Sequence, residues 1–89
     1  MDIFKMQEGF NTDIFYAGQV FYAEYEYEEY TLGQEMKKTF KGNIIISRCD
    51  PYNMVFRSIR EINEGVETHL RYDTVKCGAV KIMEMRLLK

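Results

Sequence analysis

Between Phe21 and Glu28 the chain alternates without a break. Phe21, Ala23, Tyr25 and Tyr27 fall on one parity, and Glu24, Glu26 and Glu28 fall on the other. A period of two, rich in tyrosine and phenylalanine, reads as a strand with one buried face. Leu32-Gly33 then supplies a two-residue turn, with glycine taking the positive φ that such a hairpin needs. Counting back from this turn sets Glu28 opposite Lys37, Glu26 opposite Thr39 and Glu24 opposite Lys41. On the other face Tyr25 meets Phe40 and Phe21 meets Ile44. One register thus pairs polar groups outside and apolar groups inside.

Farther along, two patterns compete. Tyr52, Val55, Phe56, Ile59 and Ile62 follow helical spacing, with Asp50-Pro51 at the start and Gly65 past the end. The same stretch also reads as a strand closed by a turn at residues 62–66. That turn pairs Ile62 with Val66, Phe56 with Tyr72, and Met54 with Thr74. A next turn at Cys77-Gly78 sets Tyr72 against Met83, Leu70 against Met85 and Thr68 against Leu87, on the same apolar face. Because a helix would leave strand 66–75 with one neighbour, the meander is the preferred reading. The fold expected is therefore all-β, an antiparallel meander curled into a small barrel or half-barrel, with room for one short helix. The alternative is α+β, with a helix at about 51–63 packed on the sheet. Before residue 18 the pattern is weaker. Ile3, Phe4 and Met6 can begin an edge strand, and Asn11-Thr12-Asp13 reads as a turn or the entry to one helical turn.

At 89 residues the chain has room for one domain, 1–89. No apolar run approaches the roughly 20 residues of a membrane span. The start, MDIFKMQEGF, lacks a basic stretch followed by an apolar one, so no secretory signal and a cytoplasmic location are expected, in the host cell if a virus encodes the chain. Cys49 and Cys77 lie 28 positions apart with no CxxC, and His69 is the sole histidine. Zinc ligands are therefore lacking, and two free thiols are expected unless the fold brings them together.

Charge changes the picture more. Residues 1–35 hold eight acids and one base, giving −7; residues 36–89 hold eleven bases and six acids, giving +5, which sums to −2. Acidic and basic strands lying side by side account for much of this asymmetry. It also suits an acidic patch that meets a basic partner, or a homo-dimer joined through opposite halves.

Chemistry for catalysis is missing from the sequence. His69 shares its parity with Glu67, Arg71 and Asp73 and is expected on the solvent side. Ser47 and Ser58 lack a glycine-rich elbow, and no GxGxxG or GKS/GKT is present. No enzyme activity, cofactor or metal is expected. What remains is a surface of tyrosine and carboxylate: Tyr22, Glu24, Glu26, Glu28, Glu29 and Tyr30 are the candidate partner-binding residues. Alternate carboxylates on one strand lie roughly 7 Å apart. Successive phosphates of one nucleic-acid strand lie about 6–7 Å apart, from 3.4 Å of axial rise plus the sideways step. The function expected is thus a protein-binding module, an inhibitor that occupies a basic, nucleic-acid-handling site on a larger protein. In size and composition the chain resembles the short, motif-free proteins that phages and mobile elements use against host machinery, anti-CRISPR proteins among them. The alternative is an anion site for a nucleotide or single-stranded nucleic acid built on Arg57, Arg71 and Arg60, widened by Arg48, Lys81 and Arg86. A sequence pI near 5.4 ranks nucleic acid below protein.

Overall fold

The structure is a computed structural model that describes residues 4–5, 9–59 and 67–88. Strands β1 (Phe4–Lys5) and β2 (Gly9–Phe10) form a two-stranded ribbon. A five-stranded antiparallel sheet follows, built from β3 (Val20–Thr31), β4 (Gln34–Cys49), β5 (Asn53–Ser58), β6 (Thr68–Arg71) and β7 (Lys81–Leu88). A five-residue helix, α1 (Tyr72–Lys76), links β6 to β7. The sheet order is β6-β5-β4-β3-β7, an open, curled meander whose last strand returns to the far edge.

The β3–β4 hairpin has the register that its alternation predicts: Glu28 faces Lys37, Glu26 faces Thr39, Glu24 faces Lys41, Tyr25 faces Phe40 and Phe21 faces Ile44. Leu32 and Gly33 both take positive φ, 55° and 77°, as the tight turn demands. Phe21, Ala23, Tyr25, Ile44, Ile46, Met54, Phe56 and Leu70 share the inner face and form the core. Phe10 and Phe15, from the segment before the sheet, cover it. Phe15 lies 4.9 Å from Phe21 and 6.3 Å from Phe10, centroid to centroid. Asn11 Oδ1 accepts from the Asp13 N–H, and the Phe15 N–H donates to the Asn11 carbonyl, so 11–15 is the single turn that Asn11-Thr12-Asp13 announces. Phe4 does enter a strand; Ile3 and Met6 lie outside the described residues.

Residues 53–58 are strand, which overturns the helix at 51–63 for its described part. Asp50 does cap, but at a turn. Its Oδ1 accepts from Tyr52 N–H and Asn53 N–H at 2.8 Å each, while Asp50 N–H donates to the Asn53 carbonyl. Asp first and Pro second suit a four-residue turn as well as a helix start, and here they join β4 to β5.

The β5–β6 pairing is also antiparallel, but four positions away from expectation. Met54 faces Leu70 and Phe56 faces Thr68, not Thr74 and Tyr72. A shift of four keeps every residue on its face, so polarity alone does not separate the two registers. The Ile62–Val66 pairing lies outside the described residues. The expected turn at Cys77-Gly78 is not a hairpin. Gly78, at φ 88°, ends α1, its N–H donating to the Val75 carbonyl, and β7 pairs with β3 rather than β6. The pairs of Tyr72 with Met83, Leu70 with Met85 and Thr68 with Leu87 are therefore not formed. Tyr72 instead leaves the sheet and stands edge-on to Phe10 at 5.5 Å.

Candidate acidic interface on the hairpin arm

Two strands run past their neighbours. Strand β7 pairs β3 only as far as Glu26–Lys81, and β5 pairs β4 only from Ile44 onward, with one further bond from Ile59 N–H to the Asn43 carbonyl. Among the described residues, β3 and β4 pair beyond these points only with each other. Residues 28–30 and 32–39 are exposed, so the hairpin end forms an arm reaching out from the sheet.

On the outer face of β3 the alternation places Tyr22, Glu24, Glu26, Glu28 and Tyr30 in one row. Glu29 is not part of it. It falls on the opposite parity, where its Oε2 meets Lys38 Nζ at 2.9 Å. That carboxylate holds the Lys38 ammonium above its ordinary pKa, through the hydrogen bond first and the charge second. The row is fixed at its sheet end. Tyr22 donates its hydroxyl to Glu24 Oε1 at 2.6 Å, and the Arg86 guanidinium sits 5.0 Å above the Tyr22 ring. Arg86 Nη1 also reaches Glu84 Oε2 at 3.5 Å, which tempers the like-charge pair that Glu84 makes facing Glu24. The hydrogen bond to Glu24 pushes the Tyr22 phenol above its usual pKa.

At the arm end the row meets a second acid. Glu35 faces Tyr30, diagonal to Glu28, and a hydrogen bond between the two carboxyl groups raises the Glu35 pKa above the ordinary carboxylate value; the Glu28 charge adds to it. Lys41, Lys81 and Lys37 stand in register across from Glu24, Glu26 and Glu28. Among the described residues, the ion pairs on this hairpin and its β7 neighbour are Lys38–Glu29 and Arg86–Glu84, and neither takes a carboxylate of the row. The lysines soften the negative field while leaving carboxylate oxygens for an incoming guanidinium, which binds them in a planar fork.

The rival arginine site is not assembled. The observed β5–β6 register carries Arg57 toward Glu67 and sets Arg71 opposite Asn53, four positions along the strand, or roughly 13 Å. Arg71 Nη2 is held by Asp73 Oδ2 at 2.8 Å. Arg60 lies outside the described residues. Arg48 faces Val55, while Lys81 and Arg86 belong to the far edge strand beside the acidic row. His69 is exposed, as its parity predicts.

Both cysteines are free. Cys49 is half-buried, and burial, with the nearby Asp50 charge, pushes its thiol up to about 11. Among the described residues no group of three His, Cys, Asp or Glu side chains is placed to hold a metal ion. No helix among them is long and apolar enough to cross a membrane. Sequence reasoning named Tyr30, which is 75% exposed, but missed that the tip around it also bares Leu32, 99% exposed, and Met36, 48%. Its signal was present in Leu32, an apolar residue at a turn position that ordinarily takes Asn, Asp or Gly. In comparisons with known proteins, no family model matches the chain, and no curated protein or solved structure matches it either.

Proposed function

We propose that the protein is a non-enzymatic binding module whose outer acidic row engages a basic, nucleic-acid-handling site on a larger protein and blocks it. The observation that carries this reading is the row itself. Tyr22, Glu24, Glu26, Glu28 and Tyr30 lie at alternate positions on one strand face, while the ion pair of Glu29 with Lys38 is turned to the other. Carboxylates at this spacing present charge at the interval of a phosphate track, on a strand stiffened by pairing on at least one side. Tyr22 and Tyr30 bracket the row with aromatic surface able to hydrogen-bond, a composition common at interface centres. Blocking host machinery in the cytoplasm of an infected cell is the setting such a module fits.

Charge reversal tests the reading. The triple variant Glu24→Lys/Glu26→Lys/Glu28→Lys is expected to abolish capture of the partner from the native host. The pair Arg57→Ala/Arg71→Ala is expected to spare it. Capture by the wild type should weaken at higher salt, because rim charges are screened. If the arginine variant loses binding and the glutamate variant keeps it, the anion or nucleic-acid reading replaces this one.

A further inference from the structure

The hairpin changes chemistry along its length. On the face of the row, Glu24, Glu26 and Glu28 give way to the Tyr30 ring, and the turn beyond it bears the fully exposed Leu32. Met36 stands across from Glu29 on the opposite face, half-exposed. None of the three belongs to the core or to the side chains packed against it. Leu32 is moreover held at φ 55°, in the left-handed region that disfavours a leucine. In the free protein its side chain therefore carries strain and removes no apolar surface from water. That surface contributes only when a partner covers it.

The charges around the tip decide what covers it. On the face of the row the arm holds Glu28 and Glu35 against Lys37, and on the other face Lys38 is taken by Glu29. An anionic lipid surface or a nucleic acid would meet like charge here, whereas a cationic protein groove would not. Such grooves come in two kinds. A reader of duplex presents mainly cations and hydrogen-bonding groups to phosphates and base edges, and an apolar tip finds little cover there. A channel for single strands joins a positive groove, which tracks the backbone, to aromatic side chains on which bases stack. The arm carries the counterparts of both, side by side. Tyr30 follows Glu28 by two residues, roughly 7 Å, so it falls at the next interval of the phosphate track. An aromatic ring there covers a stacking platform as a base would, and Leu32 adds apolar surface just beyond it.

We infer that the partner is a protein that handles single-stranded nucleic acid, and that the Tyr30–Leu32 tip covers its base-stacking platform while the glutamates of the row occupy its phosphate-binding cations. This rests on the acidic-row reading and narrows it from any basic site to one class of site. The probes are host proteins retained on single-stranded DNA or poly(U) resin and, separately, on duplex DNA resin. Wild-type protein is expected to elute a protein from the single-stranded resins and to leave the duplex resin unchanged. Tyr30→Ala and Leu32→Gly are each expected to raise the concentration for half elution about tenfold or more. The loss should be alike at low and high salt, because salt does not screen apolar contact. Both side chains are exposed and Leu32→Gly relieves the strained φ, so loss of fold does not account for these effects. Half elution by either tip variant at the wild-type concentration would overturn the inference. If Glu24→Lys/Glu26→Lys/Glu28→Lys meanwhile elutes nothing, the acidic-row reading stands without it. Elution from the duplex resin as readily as from the single-stranded ones, or from no resin at all, would also overturn the inference. Elution by the triple variant as readily as by the wild type would sink both.

Discussion

Leu32 shows how one side chain can be wrong for its local conformation and still be informative. A two-residue turn with both φ values positive suits Asn-Gly, and the chain places Leu-Gly there. Leu32→Gly should raise stability by roughly 1 kcal/mol, which for a domain of this size is a melting shift of about 4–8 °C. Glu35 offers a second residue-scale expectation. Because its folded pKa lies above its ordinary value, the folded state holds the proton more tightly than the unfolded one. The stabilising contribution is therefore present at low pH and is lost as pH rises through the Glu35 titration, the reverse of a salt-bridged carboxylate. Carbon-detected titration of the side chain should place its midpoint above 4.5, and Glu28→Gln should bring it down. The cysteines should separate kinetically. Cys77 is exposed, whereas Cys49 is half-buried with a thiol near 11, so alkylation at mild alkaline pH should label Cys77 fast and Cys49 slowly. Equal rates would contradict the burial of Cys49.

Elements differ in how far the sequence foretells them, and the β3–β4 hairpin and the β6–α1–β7 segment mark the extremes. In the hairpin, alternation, turn glycine and cross-strand charge all point to one register, and that register forms. After β5 only parity was available. A slip of four positions preserves parity, so Met54 facing Leu70 and Met54 facing Thr74 looked alike. Helix α1 is five residues long, too short for a period of 3.6 to show, although Asp73 in its first turn and Gly78 past its end are ordinary helix boundaries. The return of β7 to β3 was hidden by chemistry as well. It sets Glu24 against Glu84, a like-charge pair that charge pairing disfavours, and here Tyr22 engages the first carboxylate and Arg86 the second. The acidic row was legible because it belongs to the hairpin; the arginine site was not, because it hung on the register that slipped. Packing supplies the check on the segment before β3. Phe15 is 1% exposed against Phe10 and Phe21, so Phe15→Ala should cost about 3–5 kcal/mol, read from urea unfolding. In a domain whose total stability is of order 5–15 kcal/mol, that leaves little margin. A loss below about 1 kcal/mol, the scale of a surface change, would mean that residues 9–19 do not cover the core.

Across the whole molecule, the acidic first half and the basic second half become neighbouring strands. Glu26 lies between Thr39 and Lys81, and Tyr22 between Asn43 and Arg86, so much of the charge asymmetry is absorbed within one sheet. What is left over gathers where the hairpin outruns the sheet. Its acids there lie beyond β7, and the strand end carries them clear of the core on a molecule 39 Å long and 18 Å thick. The β-rich character was readable from alternation and from the need to give each strand a neighbour; with the five-residue α1 the one helix among the described residues, far-UV circular dichroism should show a weak 222 nm band. The proposed blocking of a basic protein rests on the row that begins within the sheet at Tyr22 and Glu24 and runs onto the arm at Glu28 and Tyr30, and binding by charge-reversed variants tests it most directly. Partner captured from the native host should bind wild-type protein and the Arg57→Ala/Arg71→Ala variant with closely similar affinity, and should compete with nucleic acid for the wild type. It should not bind Glu24→Lys/Glu26→Lys/Glu28→Lys. Full binding by that triple variant, at either low or high salt, would contradict the account.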